Sequence, residues 1–150
     1  SYSKYLEYPE IREYLNETIM PGWVEMVERA KNIVRKGKEA NDQINILGDD
    51  GVPMSYHEIF WKSELLDFVI LQQDAFDDID ALCPIERQKY MLELVMGICE
   101  RDFTFEDFEE CRNYFKELIN ALRQMNYSEF KSERFYEYQE KLNNLLSNGK

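Results

Sequence analysis

Residues 67–77 read DFVILQQDAFD. A run of apolar residues with helical spacing ends in two glutamines, and a phenylalanine follows after a short polar break. The same helix extends upstream, where its apolar positions are dense enough to predict burial of much of its circumference. These positions are Ile59, Trp61, Leu65, Leu66, Phe68 and Val69.

The segment before this helix predicts a second helix that ends in an exposed turn. Residues 44–53 read INILGDDGVP, in which Gly48 suits a helix C-cap and the Asp-Gly and Pro positions favour a turn. Apolar residues recur upstream at three- and four-residue spacing, as in an amphipathic helix that we expect to weaken around Gly37. They are Trp23, Met26, Val27, Ala30, Ile33 and Val34.

Capping signals predict where the helices begin. Ser55 and Glu58 match a capping box at the start of the central helix, which would leave His57, the only histidine, exposed to solvent. Pro84 suits the first turn of the next helix. We expect Thr104 with Asp107 to cap another helix, and Ser128 to cap the last one.

The pattern predicts one all-α domain over residues 1–150, a compact bundle of about six helices. A first, aromatic-rich segment runs from Tyr5 to about Thr18, and no stretch alternates with a period of two as strands do. The chain begins Ser-Tyr-Ser rather than with Met, which suggests a piece excised from a longer protein.

The net charge of −12 argues against binding to nucleic acid or to an anionic membrane surface, because both require a cationic footprint. No apolar run is long enough to span a membrane. Cys83, Cys99 and Cys111 show no metal-type spacing, and we expect reduced thiols, with Cys111 and Cys99 in the core.

No catalytic or metal-ligating set is evident. The chain has no G-x-x-x-x-G-K-[ST] loop for phosphates and no His-Cys cluster for a metal, and His57 lacks an evident nucleophile and orienting group. Acidic clusters at residues 77–80 and 106–110 lie near predicted helix starts, where carboxylates interact favourably with the helix dipole. The expected list of catalytic and metal-binding residues is therefore empty.

Five stretches, in this order, resemble the C-terminal helical domain of the catalytic A (alpha) subunit of V-type and archaeal-type rotary ATPases. They are SYSKY at 1–5, GWV at 22–24, INILG at 44–48, LQQDAFD at 71–77 and DALC at 80–83. The family string is L-Q-Q-N-A-F-D, so Asp74 stands where Asn is usual. This string is the most specific of the five matches.

The resemblance implies a nucleotide-facing end and a rotor-facing end. Gln73, Ala75 and Phe76 would lie beside the nucleotide, with Phe76 an apolar wall for adenine. The turn implied to contact the rotor consists of Asp49, Asp50, Gly51, Val52 and Pro53. ATP or ADP with magnesium would be bound by the full-length subunit, whose phosphate loop lies upstream in the family. We therefore expect this chain alone to bind no nucleotide and to hydrolyse no ATP.

The resemblance also implies a rotary ion-translocating ATPase or ATP synthase as the parent, coupling ATP hydrolysis or synthesis to rotation and to proton or other ion transport. The implied partners are the B subunits and the central rotor stalk, in the cytoplasmic V1/A1 head that is peripheral to the membrane, without direct membrane contact. Two alternatives stay open: an independent acidic helical protein-interaction module, and a stand-alone helical enzyme that uses a pair of facing carboxylates.

Overall fold

The structure is a computed structural model that describes the backbone of residues 22–75 and 84–148. Five α-helices lie in these ranges: α1 (Trp23–Leu47), α2 (Met54–Ala75), α3 (Pro84–Cys99), α4 (Phe108–Tyr127) and α5 (Glu133–Asn148). A 3₁₀ turn at Asp49–Gly51 joins α1 to α2, and no strand occurs in the described ranges. The all-α prediction is confirmed; the predicted segment from Tyr5 to Thr18 lies outside the described residues.

Helix α2 is the centre of the bundle, and α1, α3 and α4 all pack against it. None of its side chains is exposed between Tyr56 and Val69, and Leu65, Leu66 and Val69 are completely buried. The burial predicted from its dense apolar positions is therefore confirmed. A helix with so few exposed side chains must be covered by other helices, and α1, α3 and α4 cover it.

The helices alternate in direction. The short turn makes α1 and α2 an antiparallel hairpin. α4 runs parallel to α2, because the His57 ring lies beside Phe108 and the Arg123 guanidinium lies over Phe68. α5 returns along α4, and the Tyr114 hydroxyl donates to the Leu145 carbonyl over 3.0 Å. The start of α4 and the end of α5 therefore lie toward the α1–α2 turn.

Two buried contacts attach α3. The Cys99 thiol lies 3.6 Å from the Lys62 carbonyl oxygen on α2. Arg87, itself buried, donates through Nη2 to the carbonyl oxygens of Met125, Asn126 and Ser128, at distances of 3.1, 2.7 and 3.1 Å. A guanidinium at the end of α4 donates to carbonyl groups at the helix C-terminus and complements the helix dipole.

The predicted core cysteines are confirmed. Cys99 and Cys111 are free and buried. Burial raises the pKa of each thiol to about 12, and for Cys111 the carboxylates of Glu58 and Glu110 add to the effect. Both thiols are therefore protonated at neutral pH and behave as small apolar groups. Cys83 lies outside the described residues.

Two of the predicted caps are displaced along the chain. Thr104 is exposed and outside the helix; Asp107 is the N-cap of α4, and its Oδ1 accepts from the Glu110 amide over 2.8 Å. Ser128 does not begin the last helix but ends α4, where its hydroxyl donates to the Gln124 carbonyl over 2.9 Å. Ser132 instead accepts from the Phe135 amide over 3.2 Å at the start of α5.

The central position of α2 predicts a large cost for truncating Leu66. We expect Leu66→Ala to lower the free energy of unfolding by roughly 2–5 kcal/mol, because a cavity would open in a fully enclosed site. The matched control is Leu47→Ala on exposed Leu47, with an expected change of about 0.5 kcal/mol or less. Urea titration followed by circular dichroism measures both. Equal effects of the two variants would contradict the central placement of α2.

Candidate functional site: the tip of the α1–α2 hairpin

The turn between α1 and α2 forms an exposed tip, which comprises residues 46–53. Gly48 ends α1 with a φ of 85°, a conformation that favours glycine, and its amide donates to the Ile44 carbonyl over 2.7 Å. The Gly51 amide then donates to the Gly48 carbonyl over 3.1 Å. Asp49, Asp50, Gly51 and Pro53 are exposed and Val52 is half-buried, so the structure places the five predicted rotor-facing residues together at the surface.

Two apolar side chains at the tip are also exposed. Ile46 is 73% exposed and Leu47 is 55% exposed, next to the carboxylates of Asp49 and Asp50. The residues predicted from sequence to contact the rotor were 49–53 and did not include this pair, although Leu47 belongs to the INILG stretch that resembles the family. A signal was available, because the apolar residues of α1 continue beyond Ala40, its last buried residue, to the helix end. These two exposed aliphatic side chains and the neighbouring carboxylates make the tip a candidate surface for contact with another protein.

His57, on the first turn of α2, contacts the tip from the side of the bundle. It was predicted to be exposed, but the side chain is only 5% exposed. Its Nε2 lies 2.8 Å from the Asp49 carbonyl oxygen, and its ring stacks against Phe108 with centroids 5.5 Å apart. A cleft of about 170 Å³ beside His57 is lined by residues of α1, the turn, α2 and α4. The prediction was wrong because α4 covers this first turn of α2, a contact that local sequence does not reveal.

The predicted capping box of α2 is also wrong. Ser55 is exposed, and the Glu58 carboxylate reaches the loop before α4, where it accepts from the Phe103 amide over 3.3 Å. Glu58 also pairs with Lys62 over 3.0 Å, and Lys62 donates to the Arg101 carbonyl over 2.6 Å. Both side chains are largely buried, so this ion pair fixes the α3–α4 loop to the hairpin.

Gly37 sets the spacing of the hairpin below the tip. The predicted weakening of α1 at this residue is wrong, because α1 is continuous from Trp23 to Leu47 and Gly37 is buried. A Cβ atom at Gly37 would lie 1.9 Å from Ser63 Oγ and 2.1 Å from Ser63 Cβ. Glycine is therefore required here by the close approach of α2, and not as a helix break.

Two of the three predicted adenine-facing residues, Gln73 and Ala75, lie at the opposite end of α2 from the tip. The backbone of Gln73 and Ala75 belongs to the last turn of α2, which ends at Ala75. Phe76 lies outside the described residues. At about 1.5 Å per residue, the 22 residues of α2 span about 33 Å between the two predicted contact regions.

A larger groove, of about 490 Å³, lies between α2 and α4 with Trp61 and Phe68 among its lining residues. Burial raises the pKa of Glu64 in this groove, and the nearby Asp67 carboxylate adds to the shift. The two acids are three residues apart on one helix, so they share a face rather than oppose each other. They do not supply the facing carboxylates that a stand-alone enzyme would require.

The described residues contain no group of three or more His, Cys, Asp or Glu side chains arranged to hold a metal ion. None of their helices combines the length and the apolar character that crossing a membrane requires.

The protein is therefore an all-α domain in which α2 is enclosed by its neighbours and the turn between α1 and α2 is exposed at one end. Residues 12–102 match the family model for the C-terminal domain of V and A type ATP synthase. The chain belongs to this family, which confirms the resemblance noted in its sequence.

Curated relatives agree with the family match. The V-type ATP synthase alpha chains of Chlamydia abortus and Chlamydia muridarum are each 36% identical to this chain over 146 residues, and that of Chlamydia trachomatis serovar L2 is 37% identical. Each comparison covers 97% of this chain but 24% of the relative. The chain thus spans about a quarter of the length of the curated relatives it matches. No solved structure was found to match it.

The close approach at Gly37 predicts an energetic coupling with Ser63. We expect Gly37→Ala to destabilise the chain by roughly 1–3 kcal/mol, because the new methyl group overpacks the helix crossing. Adding Ser63→Gly removes both clashing atoms and should recover much of that loss. Urea unfolding of the single and double variants gives the coupling energy directly.

The matched control is Gly97→Ala on α3, where a new Cβ would meet nothing within 4 Å. It should stabilise the chain by about 0.5–1 kcal/mol, since alanine is the better helix former. A gain of similar size from Gly37→Ala would show that α1 and α2 do not approach closely.

Proposed function

We propose that this chain is the part of a V-type ATP synthase alpha subunit that transmits force between the nucleotide site and the central rotor stalk. In this proposal the tip bears on the rotor, and the far end of α2 lies beside the nucleotide. Closure of the upstream nucleotide-binding region would then move α2 and press the tip against the rotor. During synthesis the force would run in the opposite direction.

The observation that carries the proposal is the exposed apolar pair Ile46 and Leu47 beside two exposed carboxylates, at the end of a well-packed hairpin. Exposing two large apolar side chains is unfavourable in an isolated domain, and a partner that covers them offsets this cost. The carboxylates of Asp49 and Asp50 suit a partner with basic side chains. The central rotor stalk is the partner that we propose.

Rigidity supports the proposed lever. α2 is enclosed along most of its described length, and the crossing at Gly37 and Ser63 leaves α1 no room to move toward it. Close-packed interiors have low compressibility and therefore transmit displacement rather than absorb it. A displacement at the Ala75 end of α2 would accordingly reach the tip.

At the nucleotide end, Phe76 would contribute an apolar wall for adenine, and Gln73 and Ala75 would lie beside it. The phosphates and magnesium of ATP or ADP would be held by the upstream part of the subunit, because this chain has no phosphate loop. B subunits would flank the alpha subunit in the soluble head. The chain alone should show no ATP hydrolysis, since the groups that bind phosphate and stabilise its transfer are missing.

The tip should act mainly through its apolar surface. We expect Ile46→Asn combined with Leu47→Asn to lower the number of ions pumped per ATP hydrolysed in the assembled complex, while the stability of the subunit changes little, because both side chains are exposed. Asp49→Asn combined with Asp50→Asn is the matched control. It should change coupling little, because exposed ion pairs contribute only about 0–1 kcal/mol each.

The measurement is ATP-driven ion uptake into vesicles, divided by ATP hydrolysis in the same preparation. Loss of coupling in the aspartate variant alone would show that charge, and not apolar contact, transmits the force. Full coupling in both double variants would remove the tip from the mechanism.

Phe76→Ala in the full-length subunit should raise KM for ATP roughly ten-fold, as expected for loss of base stacking. It should lower kcat less, because stacking on adenine is similar in the ground and transition states. The control is Phe68→Ala, eight residues earlier on α2, where the ring contacts Arg123. Steady-state kinetics would contradict the adenine role if KM were unchanged in a Phe76→Ala subunit that folds normally.

A further inference from the structure

We propose that His57 is a positioning residue that holds the tip in one orientation relative to the bundle. The positioning follows from the geometry of this chain. Its consequence for coupling rests on the function proposed above.

The tip has few bonds that tie it to the rest of the domain. Its backbone bonds, from Gly48 to Ile44, from Gly51 to Gly48 and from Tyr56 to Pro53, all join residues at most four apart in the chain, so none of them ties the tip to α3, α4 or α5. Residues 49–51 and 53 are exposed, so packing contributes little restraint. Among the described residues, one side chain forms a hydrogen bond with residues 49–53: the His57 ring binds the Asp49 carbonyl oxygen.

The chemistry of this bond shows which ring nitrogen carries the donated hydrogen. A carbonyl oxygen can only accept, so Nε2 of His57 must carry the hydrogen. The donor belongs to a side chain that is only 5% exposed, which limits its contact with water. His57 thus donates to the turn through Nε2.

Phe108 supplies the second restraint. Its ring stacks on His57 at an interplanar angle of 22°, and it is the first residue of α4, directly after the Asp107 cap. The imidazole is therefore held between the turn and a helix that does not belong to the hairpin. Through this contact α4, as well as α1 and α2, restrains the orientation of the tip.

The first test needs no variant, because the chain contains a single histidine. Nitrogen NMR of the untagged chain, labelled at histidine, reads the tautomer directly. We expect hydrogen on Nε2 and a ring proton that exchanges slowly with solvent. Hydrogen on Nδ1 in the neutral ring, with Nε2 bare, would overturn the proposal.

The second test compares His57→Phe, which keeps a ring against Phe108 but removes the donor, with His57→Gln, which keeps a donor near the position of Nε2. Hydrogen exchange of peptides covering residues 44–54 is followed by mass spectrometry in the assembled complex. We expect His57→Phe to speed exchange roughly ten-fold, as for loss of one buried hydrogen bond. His57→Gln should restore much of the protection.

A control variant in the core distinguishes a specific effect of His57 on the tip from a general loss of stability. Leu118→Val alters the buried core of α4 without touching the tip, and it should leave exchange of residues 44–54 unchanged. Equal acceleration in this control, or no acceleration in His57→Phe, would overturn the proposal.

Coupling in the same complexes distinguishes this proposal from the function on which it rests. Lower ion pumping per ATP in His57→Phe, with recovery in His57→Gln, supports both. Faster exchange of the tip with unchanged coupling would uphold the positioning role of His57 and overturn the force-transmitting role of the tip.

Discussion

The enclosure of α2 is the constraint on which the rest of the structure depends. From Tyr56 to Val69 the helix has no exposed side chain, although the stretch includes Glu58, Lys62, Glu64 and Asp67. Burying charged groups is costly unless they are paired. Glu58 and Lys62 therefore pair and bind the backbone of the α3–α4 loop, whereas Glu64 and Asp67 line a groove open to water. The burial of the apolar side chains of α2 and the pairing of its charged ones thus determine where the neighbouring elements lie.

The same enclosure gives a physical basis for the proposed lever. α2 runs from the tip to the proposed nucleotide end, and its neighbours prevent it from bending. Gly37 brings α1 into contact with α2 midway along the hairpin, and His57 with Phe108 holds the base of the tip. The parts proposed to contact partners are the hairpin's exposed end and the end of α2, outside the enclosed stretch. A domain of this design stores little strain and passes displacement from one end to the other.

The sequence predicted the helices better than their contacts. Apolar spacing identified α1 and α2, and Gly48 and Pro84 were placed correctly at a helix end and a helix start, because these signals are local. Three residues were predicted wrongly because each contacts a residue far away in the chain. His57 stacks on Phe108, Glu58 accepts from the Phe103 amide, and Gly37 lies against Ser63. For the candidate site, residues 49–53 were assigned from turn chemistry and family resemblance, and their contact with a rotor stays a prediction. Ile46 and Leu47 were not included, although the apolar residues of α1 continue to the helix end, because their exposure depends on which neighbouring helices reach the tip.

Photo-crosslinking from the tip tests the central claim most directly. A benzoylphenylalanine placed at position 46, where Ile46 is exposed, should on irradiation of the assembled complex form a covalent product with the rotor stalk. The same group at position 136, on exposed Tyr136 near the start of α5 and away from the tip, should not. Mass spectrometry of the products identifies the partner. Capture of the stalk from position 46 alone is the predicted result; its capture from position 136, or from neither position, would contradict the account.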